Sequence, residues 1–220
     1  MAPARGFAGS TIGRKVVMAV TGAILFGFVL VHMLGNLQVY LGPEAMNGYG
    51  AFLRQVLHGM GLWIARAILL VAVVLHIWSA TSLTLESRRA RPVGYRQQKW
   101  KESTYASRTM RWSGVILLLF VIYHLLHFTT GTVHPSFIEG DVYHNFVAGF
   151  RSVPVSVFYI FAMVALGLHL RHGLWSMCQT LGVSHPRTIR AAHAGAWIFA
   201  AIIVIGNISF PLAVLAGIVK

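Results

Sequence analysis

Apolar residues gather into five long runs separated by short polar stretches. The runs cover about Val16–Val39, Leu62–Leu85, Trp112–Thr130, Val155–Gln179 and Ala194–Val219. Each exceeds or approaches the ~20 residues that a ~30 Å hydrocarbon slab requires. They predict an all-α membrane protein with five transmembrane helices in a bundle. A shorter element follows the first run. Over Ala45–His58, the residues Met46, Tyr49, Phe52, Leu53, Val56 and Leu57 recur on a helical period, as in a helix lying in the interface. Gly42–Pro43 ends the first helix, Glu86–Arg111 with Pro92 and Gly94 forms the one long connection, Thr132–Pro154 is a loop, and Gly182–Pro186 is a turn. Asn207 and Pro211 lie inside the last apolar run without an evident partner. Nothing marks a second domain, so residues 1–220 read as one. The first run is too long for a cleaved secretory signal and is expected to stay in the mature protein.

Composition agrees with a membrane class: 56% of the 220 residues are hydrophobic, 10% are charged, and mean hydropathy is +0.68. A net charge of +13 would also suit a nucleic-acid binder, but the placement of the charges argues against one. Of the 18 Lys and Arg, 14 lie before the first helix, between the second and third, or around the connection of the fourth and fifth. By the positive-inside rule the N-terminus is cytoplasmic and the C-terminus outside. That basic rim fits topology and anionic lipid, and it also suits an acidic soluble partner. Trp63, Trp100, Trp112 and Trp175 sit near span ends, as interface anchors do. The single cysteine, Cys178, excludes an internal disulfide, a Cys-ligated iron–sulfur cluster and a C-x-x-C-H haem attachment. Any haem would be b-type.

The chain repeats itself. Thr21–His32, TGAILFGFVLVH, aligns without gaps to Ser113–His124, SGVILLLFVIYH. Beyond this stretch, 44 residues separate His32 from His76 and 45 separate His124 from His169. Helix rise then sets depth. His32 lies about 24 Å, and His124 about 18–21 Å, from the inner ends of their helices, so both fall in the outer half. His76 and His169 lie about 21 Å from the outer ends of theirs, so both fall in the inner half. One histidine pair per leaflet, each on two parallel helices, is what two bis-histidine irons need. Their planes would be roughly 10–15 Å apart. A lone intramembrane histidine would be read as an interhelical hydrogen bond or a proton-relay member. Four at paired depths favour two haem b groups, and no Cys or carboxylate accompanies them to make a zinc site.

His127 and His172 each follow a deep histidine by three residues on nearly the same face. The residues alone leave open whether either replaces its neighbour as ligand, binds a haem propionate, or sits at the interface. Arg171 suits an inner propionate, since a guanidinium matches a carboxylate. His58, His134, His144, His185 and His193 read as surface positions.

HMLGNLQ in the first helix, GPEAMNGYGAFL after it, YHLLHFTTGT in the third helix and GLHLRHGLWS in the fourth resemble the five-helix, di-haem cytochrome b subunit of succinate dehydrogenase and fumarate reductase. The resemblance covers nearly the whole chain. It implies haem ligation by His32 with His124 and by His76 with His169, choosing His124 within YHLLH and His169 within LHLRH. It further implies a quinone, typically menaquinone, and flavoprotein and iron–sulfur subunits docked on the cytoplasmic face of a bacterial inner membrane. Some members carry a glutamate two residues before the fourth-helix ligand; here that position is Gly167. The competing readings are the cytochrome b subunit of a hydrogenase or formate dehydrogenase, and a proton-coupled transporter. A transporter would more often break its helices around a midplane site. For the quinone, the outer loop offers Asn36, Gln38 and Glu44 beside apolar Tyr49 and Phe52. A partly buried Glu44 would serve as proton acceptor, and its alternative role is to favour the start of the short helix.

Overall fold

The computed structural model describes residue 6 and residues 9–90, 105–183 and 185–220; the side chains of residues 105–108 lie outside that description. So do Arg5, Arg91, Pro92, Gly94, Arg96, Lys99, Trp100 and Lys101, which belong to the N-terminal lead and the basic connection. Seven α-helices make up the described chain: α1 Thr11–Asn36, α2 Pro43–Gln55, α3 Met60–Arg89, α4 Tyr105–Phe128, α5 Val142–Phe150, α6 Val153–Thr180 and α7 Pro186–Leu215. Five are long and apolar enough to cross a membrane, and they take up most of the five apolar runs. The chain is a multi-pass membrane protein.

Local chemistry sets the helix starts. Ser10 accepts a hydrogen bond from the Gly13 N–H at 2.9 Å and so caps α1. Prolines stand in the first turns of α2, α6 and α7, where their missing N–H costs nothing. Between α1 and α2 a tight turn over Leu37–Leu41 ends at Gly42, whose φ of +97° suits glycine. Between α2 and α3, Leu57 and His58 have φ of 51° and 55°. The short helix expected over Ala45–His58 therefore stops at Gln55. Asn207, unassigned from the sequence, donates its amide to the Ile203 carbonyl one turn back, at 2.8 Å.

Packing places α6 at the centre. It runs along α7, α4 and α1, and α1 in turn runs along α3. Along the α6–α7 seam many buried residues are small: Ala162, Ala165 and Gly167 on α6, and Ala196 and Ala200 on α7. Without a hydrophobic force between helices in lipid, such close approach supplies the contact energy. Large apolar side chains such as Ile68, Leu70, Val71, Leu119 and Ile205 point outward, as lipid-facing residues do.

Helix α5 lies within Thr132–Pro154, where the sequence predicts a loop. It is buried through Asn145, Phe146, Val147, Gly149 and Phe150 and, with α2, caps the end of the bundle opposite the N-terminus. Asp141 caps it, accepting from the His144 N–H at 2.9 Å and from the Asn47 amide at 3.0 Å. These bonds hold its carboxyl below the usual carboxylate range, so the cap stays charged at neutral pH. The Asn47 carbonyl accepts from the Tyr143 N–H at 2.9 Å, which clasps α2 to α5. At the N-terminal face Arg14 pairs with Glu86, and the Thr11 hydroxyl donates to the same carboxylate at 3.2 Å, tying α1 to α3.

Candidate functional site

The two halves of the chain present their histidines to each other. His32 on α1 faces His124 on α4, with ring centroids 5.8 Å apart. His76 on α3 faces His169 on α6 at 6.3 Å. Neither α1 with α4 nor α3 with α6 is among the helix pairs whose backbones approach closely. The rings meet across a gap between the halves. Two imidazoles holding one metal from opposite sides, each through a nitrogen about 2 Å away, put their centroids roughly 6 Å apart. Both pairs fit that spacing. Among the described residues no group of three or more His, Cys, Asp or Glu is placed to hold a metal, so each pair offers two protein ligands and no more. That is the donor set of a bis-histidine haem and not of a tetrahedral zinc site.

The repeat in the sequence has a structural counterpart at each histidine. Phe28 stacks on His32 at 5.3 Å and Phe120 on His124 at 5.7 Å, each from four residues earlier on its own helix. The Thr21 hydroxyl lies 3.2 Å from Nδ1 of His76, and the Ser113 hydroxyl 3.1 Å from Nδ1 of His169. Beside them, a Cβ on Gly22 would come within 3.3 Å of His76 Cε1, and one on Gly114 within 3.9 Å of His169 Cε1. Only a residue without a side chain gives the first ring its full room.

His127 and His172 stand apart from these pairs. His127 is fully buried; its Nδ1 and that of His124 share the Tyr159 hydroxyl, at 3.1 and 3.3 Å. A phenol has one proton, so Tyr159 donates to at most one ring and accepts from the other. Nε2 of His127 has no hydrogen-bond partner among the described residues and faces Gly149 of α5. His172 is half-buried. Arg171 lays its guanidinium over the Trp197 ring at 4.1 Å, which leaves its charge near the end of the span.

Of the outer-loop residues, Asn36 and Gln38 are half-buried, while Glu44 is exposed in the first turn of α2. The expected partial burial of Glu44 is not found, because Met46 takes the buried face of that turn. The carboxylate instead lies where a negative charge favours a helix start. Tyr49 packs against Gly35 of α1.

Four of the five histidines read as surface positions have partners. His134 donates from Nε2 to the Asn145 carbonyl at 2.8 Å and accepts the Ser136 N–H at Nδ1. His144 bonds Ser136, His185 caps α7 by accepting from the Arg187 N–H, and His193 stacks on Trp175 at 3.6 Å. Tyr159, Thr21 and Ser113 are site residues that the structure adds to those expected from the sequence. The Thr-Gly and Ser-Gly at the start of the repeat were the signal for the last two.

No curated protein and no solved structure compared with the chain matches it. The family model described as succinate dehydrogenase/fumarate reductase transmembrane subunit matches residues 87–208. The match takes in α4, α6 and most of α7, and with them His124, His127, His169, Arg171 and His172. With five spans in an all-helical bundle and more than half of its length matched, the chain belongs to the family of succinate dehydrogenase and fumarate reductase transmembrane subunits.

Proposed function

We propose that this membrane-anchor subunit passes electrons between an iron–sulfur subunit and a quinone through two b haems, one at each histidine pair. The observation that supports this reading is the facing of His32 with His124 and of His76 with His169 at 5.8 and 6.3 Å. Haem iron bound by two histidines supplies one-electron transfer and leaves no coordination position for substrate. The residues of this chain then have defined work. The four imidazoles present nitrogen lone pairs, Phe28 and Phe120 fix two of the rings, and the lipid-facing exterior keeps water from the space between the halves. Arg171, His172 and His127 are assigned to the surroundings of the haems, the first two on the propionate side. The dicarboxylate chemistry belongs to partner subunits.

In this reading the N-terminal face is cytoplasmic, in a bacterial inner membrane, and it receives the flavoprotein and iron–sulfur subunits on its basic rim. The test is chemical. The purified complex is expected to release two haems per chain into acid–acetone, as non-covalent haem does. Pigment-replete protein with one haem or none overturns the reading.

The quinone, menaquinone by family habit, is placed beside the His32–His124 pair, where electrons leave the far end of a two-haem ladder. Asn36, Gln38 and Glu44 line the junction of α1 and α2 there. Glu44→Gln is expected to slow quinone-linked turnover while haem content and subunit assembly are kept. Wild-type turnover in that variant would leave Glu44 only its role at the start of α2.

A further inference from the structure

We infer that Thr21 and Ser113 are positioning residues for the His76–His169 pair: each hydroxyl fixes the tautomer and ring orientation of one histidine and so differentiates this pair from His32–His124. The inference deepens the haem assignment and rests on it.

The argument follows the protons. The Thr21 hydroxyl lies 2.7 Å from the Val17 carbonyl and 3.2 Å from that of Met18, and the Ser113 hydroxyl 2.9 Å from that of Met110. A carbonyl can only accept, and a hydroxyl has one proton to give. With that proton spent on its own helix, each oxygen meets the imidazole as an acceptor. Nδ1 of His76 and of His169 therefore carries the hydrogen, and Nε2 carries the lone pair. Nε2 is then free to face the opposite ring.

The two devices are copies. Thr21 and Ser113 occupy the first position of the repeated stretch, and each reaches a histidine 55 or 56 residues further on. Each is followed by a glycine beside the ring, and at Gly22 a Cβ would crowd His76 at 3.3 Å. Thr21 is 5% exposed and Ser113 4%, so water does not compete for either bond. The other pair is built differently. His124 shares one phenol, Tyr159, with His127. An N–H···O bond behind a ligand raises its basicity and favours the oxidised metal. Two such bonds on one pair lower the potential of that haem relative to the other.

The test is made in the assembled complex. Wild type must first show two haems, and if it does not, the haem assignment itself fails, whatever the hydroxyls do. Given two haems, Thr21→Val and Ser113→Ala are each expected to raise the midpoint potential of the same haem and leave the other unmoved. The expected size is near the 59 mV that a tenfold change in a one-electron equilibrium represents. Retention of that haem should weaken by about tenfold. Thr21→Ser and Ser113→Thr, which keep a hydroxyl, are expected to restore both properties. Loss of that haem in Thr21→Val with recovery in Thr21→Ser also supports the inference. Wild-type potentials in both hydroxyl-free variants overturn it. So does a hydroxyl swap that behaves like the hydroxyl-free variant, because the side chains would then be packing atoms only.

Discussion

His169→Ala is expected to halve the haem content of the complex, and the spectral component it removes is the one that His76→Ala also removes. His32→Ala and His124→Ala are expected to remove the other. The basis is that each ring faces a single partner ring, at 6.3 Å in one pair and 5.8 Å in the other. In the proposed reading, losing either member would leave an iron with one protein ligand, and the remaining histidines belong to the other facing pair. His127→Ala is the control. That ring is fully buried, its Nδ1 is engaged by Tyr159 and its Nε2 is turned toward Gly149 of α5. Both haems should survive its removal, at some loss of stability from the cavity left behind. Reduced-minus-oxidised spectra with haem stoichiometry read all five variants. Should His127→Ala remove a component that His124→Ala leaves, the ligand assignment in α4 is wrong.

Gly167→Glu is expected to prevent assembly altogether. A Cβ at this position would run into the Val204 side chain across the α6–α7 seam. Overpacking costs about 1–3 kcal/mol, and an acidic side chain within a span costs roughly 2.5–3.5 kcal/mol more. The sum approaches the ~5–15 kcal/mol that holds a typical domain together. Gly167→Ala should be intermediate, and Val204→Ala should relieve it, because the two residues share one contact. Thermal unfolding of the detergent-solubilised complex and its yield from membranes measure the series. Wild-type stability of Gly167→Glu would show that α7 moves aside freely. With Val204 packed against it, Gly167 has room for a side chain only if that residue or α7 shifts.

What the sequence made legible and what it hid separate along physical lines. The five spans could be read because crossing a bilayer demands length and apolarity, and both are properties of consecutive residues. The facing of His32 with His124 and of His76 with His169 could be read because a continuous helix converts residue number into distance along its axis. Contacts between helices follow no such rule. Thr21 and Ser113 were visible as matched letters, but their partners lie 55 and 56 residues away. Tyr159 looked like any aromatic residue in a span until α6 was packed against α4. Helix α5 escaped because it has only nine residues and is held by burial against α2, α4, α6 and α7, not by a pattern of its own. Glu44 was misplaced for a related reason. The period of α2 was right, but which face turns inward depends on α1, and Met46 took that face.

The way the four helices share their histidines also orders biogenesis. Thr21–His76 forms within the first hairpin, α1 with α3, and Ser113–His169 within the second, α4 with α6. Each hairpin can therefore orient one imidazole while the ribosome is still adding the rest. The facing pairs, in contrast, take one ring from each hairpin. A nascent chain that has inserted only α1–α3 holds two histidines at different depths and no place for a porphyrin. In the proposed reading, haem capture would wait until the second hairpin has entered the bilayer and docked, so a bound cofactor would report that both halves have arrived.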